Sequence, residues 1–183
     1  MMDVYALTLF FHLLFLLAAV AAASLSTFAA LRLRAAGDVE EVRRWHALIQ
    51  KIVPAFPVAS LGLFATGAYM TERLRDWSMP WIWASLAGLA AIALLGSGVE
   101  ARRGRALMRS IERSGMSAET RRLLSDPVAW SAKLMTLTLA LAVMFIMTAK
   151  PPAADAAAAL VIAGALGLLG AVPIWRPRRA IQN

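Results

Sequence analysis

The sequence predicts an all-α integral membrane protein with four core transmembrane helices and a fifth at the C-terminal end. Of the 183 residues, 60% are hydrophobic and only 16% are charged. This composition is far more apolar than that of an ordinary soluble domain. The formal charge of +8 comes from basic residues clustered between apolar segments, where positive charge sets membrane orientation. We therefore interpret residues 1–183 as a single membrane domain and expect no nucleic-acid partner.

Five apolar segments of about 20 residues each are long enough to cross a hydrocarbon core of roughly 30 Å. The first is followed by Arg32 and Arg34 and lacks a basic leader, so we interpret it as a retained helix rather than a signal peptide. Pro54 and Pro57 open the second and predict a bend there. The fifth is rich in Ala and Gly and has the weakest spanning signal. The segments cover residues 4–31, 49–71, 80–99, 128–149 and 156–175.

The basic residues predict an N-terminus outside and a C-terminus in the cytoplasm. Six tryptophans support this topology because each falls near a predicted membrane interface. The longest connection, residues 100–127, has apolar residues among arginines and predicts a cytoplasmic amphipathic helix lying on anionic headgroups. A Ser-Gly pair and a second short helix are predicted to follow it before Pro127. The basic residues of the predicted cytoplasmic side are Arg32, Arg34, Arg43, Arg44, Lys51, Arg102, Arg103, Arg105, Arg109, Arg113, Arg121, Arg122, Arg176, Arg178 and Arg179, and those of the outer connections are Arg73, Arg75 and Lys150.

His12 is the deepest ionisable residue of the predicted spans, roughly 13 Å below the outer end of the first helix. An ionisable side chain at this depth marks a candidate functional site. The imidazole could donate a packing hydrogen bond to a neighbouring helix, or it could ligate haem iron between facing helices. His46 lies at the cytoplasmic start of the second span and cannot share that iron. The second axial position would be filled by a methionine such as Met144 or Met70, by another subunit or a second copy of His12, or would stay open.

Small and polar residues flank this level of the membrane. Ala18, Ala22 and Ser26 form a row on the first helix along which another helix, or a flat ligand, can approach closely. The second span carries Ser60, Gly62, Thr66 and Gly67, which predict close packing near His12 and form either a small ligand cleft or a tight helix contact.

Lys133 lies one turn inside the fourth span. A lysine so close to a helix end usually extends to the interface, although it could instead pair with a carboxylate of a ligand or a neighbouring helix. The chain has no cysteine, which excludes disulfides, thiolate nucleophiles and iron–sulfur clusters. It also lacks nucleotide-binding, HExxH and GxSxG motifs. No catalytic residue is identified.

These features together resemble a family of bacterial integral membrane proteins distantly related to the HemJ-type protoporphyrinogen oxidases and the copper-resistance D proteins. The resemblance covers about residues 5–151. It depends on the first-span histidine, the stretch VRRWHALIQKIVPAFPVASLGLFATGAYM, a Trp-led third span and the ending FIMTAKP. It implies a bacterial inner-membrane location and haem b on His12, the match to a histidine implicated in haem binding.

One motif departs from the HemJ-type pattern. The third span of those enzymes begins Trp-Leu-His-Ala-Lys with an essential lysine, and here residues 81–85 read Trp-Ile-Trp-Ala-Ser. Ser85 stands where the lysine should be, which argues against protoporphyrinogen oxidation. The expectation is therefore a haem-b-binding protein with a redox or haem-metabolism role, in which Thr66, Gly67 and Ser85 line a ligand cleft. The alternative is a non-catalytic accessory subunit of a larger membrane complex. The expected partners are the lipid bilayer and either further copies of this chain or a larger membrane complex.

Overall fold

The computed structural model describes residues 3–74 and 77–175, and all of the secondary structure in these ranges is helical. Arg75, Arg176, Arg178 and Arg179, which entered the topology prediction, lie outside them. The helices are α1 (Val4–Ala35), α2 (Val39–Ile52), α3 (Ala55–Leu74), α4 (Pro80–Ala93), a π-helical segment (Leu94–Glu100), α5 (Ala101–Ser114), α6 (Ala118–Leu124), α7 (Pro127–Ala149), α8 (Ala153–Ala171) and a closing 3₁₀ turn (Val172–Ile174).

The prediction of five membrane-spanning helices is confirmed by length and composition. Five continuous helical stretches of the described residues are long and apolar enough to cross a membrane. The fifth, Ala153–Ile174, was expected to have the weakest signal, but its mean hydropathy of 2.3 equals that of the first. That expectation was wrong because alanine, although small, is an apolar residue. The chain is thus a multi-pass helical membrane protein.

The second span is interrupted where its prolines lie. α2 ends at Ile52 and α3 begins at Ala55. Proline has no N–H to donate to the carbonyl four residues earlier, and Pro54 and Pro57 remove two such donors within one turn. The sequence predicted a bend at these prolines, and the regular helix is interrupted there, at residues 53 and 54.

Residues 1–79 form the first of two compact units. In this unit α1 packs against both α2 and α3. Ala22, Ser26 and Ala29 of α1 are buried, as are Ala59 and Leu63 of α3. Near the C-terminal end of α1, the Trp45 indole of α2 contacts the ring of Phe28 edge-on. The guanidinium of Arg32 lies over the same indole. Two residues of the small-residue row predicted on α1, Ala22 and Ser26, are therefore used in helix packing, whereas the third, Ala18, is exposed.

The second unit, residues 80–183, is built around α7. α7 packs against α8, α4 and the π-helical segment. The contact with α4 is close, because a Cβ at Gly88 would lie 2.5 Å from a methyl carbon of Val143. At one end of this pair, the Lys150 ammonium lies 5.4 Å from the ring centre of Trp81. The start of α4 and the end of α7 thus meet, and the two helices run antiparallel.

The basic segment folds differently from the prediction. α4, the π-helical segment and α5 form one continuous helix, Pro80–Ser114, rather than a span followed by a helix lying on headgroups. Leu107 and Ile111 of α5 are buried, and α5 packs against α6. Ser110 and Thr120 join these two helices through a hydroxyl hydrogen bond of 2.9 Å. The apolar stripe that was expected to enter the membrane surface is occupied by this packing.

Candidate ligand site around His12

His12 lies where α1 and α3 pack closely. The antiparallel register is set by two contacts: the Phe15 ring lies against Gly62, and the His12 ring lies against Gly67. A Cβ at Gly62 would lie 2.5 Å from three atoms of the Phe15 ring. Real Cβ contacts are not this short, so α1 can approach α3 here only because residue 62 has no side chain. The close packing predicted from the sequence is present.

The His12 imidazole is held by Thr66. Nδ1 of His12 lies 2.8 Å from Oγ1 of Thr66. The Thr66 hydroxyl is also within hydrogen-bonding distance of the Gly62 carbonyl oxygen, at 2.6 Å, and of the Leu63 carbonyl oxygen, at 3.2 Å. A hydroxyl has one proton, so when Thr66 donates to one of these carbonyl oxygens it acts as an acceptor towards His12. In that arrangement Nδ1 carries the ring proton and donates a hydrogen bond to Thr66.

In this tautomer Nε2 of His12 has an available lone pair. The imidazole also makes a hydrogen bond to the Leu63 backbone through one of its ring nitrogens. A neutral imidazole whose other nitrogen donates a hydrogen bond is the form in which histidine binds metals, and the bond fixes both tautomer and ring orientation. In this tautomer Nε2 of His12 is available as a metal ligand, while Thr66 holds the ring through Nδ1.

Gly67 contributes by its small size. A Cβ at this position would lie 3.5 Å from Cε1 of His12, in ordinary van der Waals contact. The imidazole therefore packs almost directly on the α3 backbone. Thr66 and Gly67, both predicted to line a cleft, are brought to His12 by one turn of α3.

The remaining predicted site residues are placed as follows. Met70 follows Thr66 by one turn of α3 in the first unit, partly buried. Met144 on α7 and Ser85 on α4 belong to the second unit. Ser85 is 2% exposed, and its hydroxyl has no hydrogen-bond partner among the described residues. Met70 and Met144 as second ligands, and Ser85 as part of the cleft, stay predictions.

His46 lies far from His12 within the first unit. Its neighbour Trp45 contacts α1 at Phe28 and Arg32. Phe28 follows His12 by 16 residues on a continuous helix, or about 24 Å at 1.5 Å per residue. The two axial ligands of one iron both lie within bonding distance of it. His46 therefore cannot be the second ligand within one chain, in agreement with the sequence-based expectation.

The second unit holds an ion pair whose two residues the sequence places on separate helices. Lys133 of α7 pairs with Glu100, the last residue of the π-helical segment. Thr136 adds a long hydrogen bond to the same carboxylate, at 3.4 Å. The sequence favoured a Lys133 side chain that extends to the membrane interface. The structure instead has the alternative, in which Lys133 pairs with a carboxylate of a neighbouring helix. The sequence contained a signal for this pair, because Glu100 ends the third predicted span and Lys133 lies near the start of the fourth. Consecutive antiparallel spans place these opposite charges at one depth.

A shallow groove between α7 and α8 in the second unit has no side chain suited to binding a polar ligand. It is lined by apolar side chains and Thr138. The Thr138 hydroxyl already donates to the Leu134 carbonyl oxygen. In addition, no group of three or more His, Asp or Glu residues in the described ranges could hold a metal ion on its own. His12 is thus the candidate ligand site, and it suits a group that needs one protein ligand.

Comparison with family models, with curated proteins and with solved structures finds no match to this chain.

Proposed function

We propose that this protein binds haem b through Nε2 of His12 and has a redox or haem-metabolism role in a bacterial inner membrane. The hydrogen-bond chain from His12 through Thr66 to the Gly62 carbonyl carries the proposal. With the Thr66 proton on a carbonyl oxygen of α3, this chain holds the imidazole in the tautomer that an axial ligand requires. The absence of cysteine leaves His and Met as the side chains that commonly ligate haem iron in such a bundle.

The residues around His12 fit one side of a haem site. Thr66 accepts the Nδ1 proton and keeps the ring from rotating, which raises the basicity of Nε2. Gly67 lets the ring lie close to α3, where it is half-buried. When bound, haem supplies one-electron chemistry, and the protein sets its potential through the axial ligand and the surrounding dielectric.

The topology belongs to the same proposal. We place the N-terminus outside and the C-terminus in the cytoplasm, with four spans forming a core to which the fifth is appended. The resemblance of residues 5–151 to the HemJ-related family supports the haem assignment. Ser85, in place of the essential lysine of those enzymes, supports a reaction other than protoporphyrinogen oxidation.

An optical spectrum of the gently purified protein tests the haem assignment. We expect a Soret band and about one haem b per chain by pyridine haemochrome quantification. His12→Ala should remove the band while helical content by circular dichroism is kept. The chain contains one other histidine, so His46→Ala is the matched control and should retain haem. Equal haem content in wild type and His12→Ala would disprove the assignment.

The same hydrogen bond favours a second candidate function. Because the His12–Thr66 bond joins α1 to α3, it could serve packing alone, in a non-catalytic accessory subunit of a larger complex. That function predicts no haem and a stoichiometric partner retained through mild solubilisation. Recovery of only a monodisperse homo-oligomer in several mild detergents would contradict it.

A further inference from the structure

Four arginines form a continuous exposed stripe on α5. Arg102, Arg105, Arg109 and Arg113, here called the arginine stripe, are all exposed. Their spacing of three, four and four residues keeps them on one helix face. The mean direction of the buried residues Leu107, Ser110 and Ile111 lies roughly 150° around the helix from that of the stripe, at 100° per residue. α6 covers the buried face and leaves the stripe open.

The stripe begins at the membrane boundary. The helix that contains it starts at Pro80 and runs unbroken to Ser114. About 20 residues cross a hydrocarbon core of roughly 30 Å, which places the boundary near Glu100. The headgroup layer adds roughly 5–7 Å per leaflet. At 1.5 Å per residue, the Cα atoms of Arg102 and Arg105 lie about 3 and 8 Å beyond Glu100.

Two hydrogen bonds show where the side chains of Arg109 and Arg113 lie. Nε of Arg109 donates to the Arg105 carbonyl oxygen at 3.4 Å, and Nε of Arg113 donates to the Arg109 carbonyl oxygen at 3.2 Å. Each side chain is thereby drawn back one turn along α5, in the usual direction for helical side chains. For this helix that direction is towards the membrane. Arg109 thus brings its guanidinium to about the level of Arg105.

We propose that Arg102, Arg105 and Arg109 bind the phosphates of anionic phospholipids in the leaflet from which α5 emerges. A guanidinium holds a phosphate through two parallel hydrogen bonds, and the terminal nitrogens of Arg109 remain available beside its bonded Nε. The acidic residues nearby leave this end of the stripe positive. Glu100 is paired with Lys133, and Glu112 lies on the flank of the stripe at its far end.

A lipid surface fits these observations better than an acidic protein segment. The apolar face of α5 is buried against α6, so the contact would be electrostatic and would not need insertion of the helix. The side chains of Arg109 and Arg113 are drawn back towards the bilayer rather than extending outwards along α5. Arg103, on the other face, already pairs with Asp126 at 3.1 Å and takes no part.

Native mass spectrometry of the full-length protein in mild detergent tests this proposal. The protein is titrated with phosphatidylglycerol or with phosphatidylcholine of the same acyl chains. We expect a preference for phosphatidylglycerol that falls about fivefold for each arginine removed near the surface. Arg105→Gln/Arg109→Gln should lose it, whereas R105K/R109K should keep part of it.

The control variant Arg113→Gln/Arg121→Gln removes the same charge from exposed positions of α5 and α6 that are not part of the proposed site. It should keep the preference. An equal loss in both double variants would overturn the proposal, since the effect would then depend on net charge alone. So would displacement of phosphatidylglycerol by inorganic phosphate. If the double variant loses helical content, Arg105→Gln alone, with an expected loss of about fivefold, decides the question.

Discussion

Gly62→Ala tests the close approach of α1 and α3 that positions His12. The new Cβ would meet three Phe15 ring atoms at 2.5 Å, whereas carbon atoms normally approach to about 3.5–4.0 Å. Either the Phe15 ring must leave its position or the helices must separate by about 1 Å. Overpacking of this kind costs about 1–3 kcal/mol.

Gly67→Ala is the matched comparison on the same helix. Its Cβ would lie 3.5 Å from the His12 ring, which requires no movement. Both substitutions gain about 1 kcal/mol of helix propensity, and this gain cancels between them. The free energy of unfolding should therefore be about 1–3 kcal/mol lower for Gly62→Ala than for Gly67→Ala.

Denaturation in mild detergent, followed by far-ultraviolet circular dichroism, measures this difference. The double variant Gly62→Ala/Phe15→Leu should recover much of the loss, because a smaller side chain makes room for the methyl group. Equal stability of the two glycine variants would refute the close packing at Gly62 and, with it, the register that brings Thr66 to His12.

Three further changes test other contacts of the two units. Thr66→Val removes the hydroxyl that bonds His12, so the free energy of unfolding should fall by about 0.6 kcal/mol, the mean for interhelical hydrogen bonds in membranes. The haem content of the same variant, measured by its optical spectrum, should also fall. Glu100→Gln leaves Lys133 without its counter-charge and should cost about 1–3 kcal/mol in detergent denaturation, less than a fully buried pair; adding Lys133→Met should restore most of it, and no restoration would contradict the pairing. Asp126→Ala removes the N-cap of α7 and should speed amide hydrogen exchange in its first turn, at a cost of about 1 kcal/mol; unchanged exchange would argue against that cap.

Local patterns in the sequence were sufficient for the spanning helices and part of the site. Apolar length predicted all five spans, and Pro54 predicted the break between α2 and α3. Gly62, Thr66 and Gly67 predicted close packing near His12 because small residues at one helix face have few other uses in a membrane.

Contacts between distant helices were harder to predict. The Glu100–Lys133 pair joins residues 33 positions apart, and its formation depends on the depth and rotation of two spans. The burial of Leu107 and Ile111 depends on α6, whose seven residues carry too weak a pattern to show which face it covers. An amphipathic pattern predicts that one face is buried, but it does not distinguish a lipid surface from another helix.

The folded connection between α5 and α7 affects how the protein should respond to proteases. Residues 101–127 contain seven arginines and would be an obvious trypsin target if they formed an extended loop. Here the segment forms two helices, joined through the Ser110–Thr120 bond and ending at a capped α7. Cleavage requires this hairpin to open first. The longest connection between spans is therefore expected to resist digestion, despite having the most cleavable sequence in the chain.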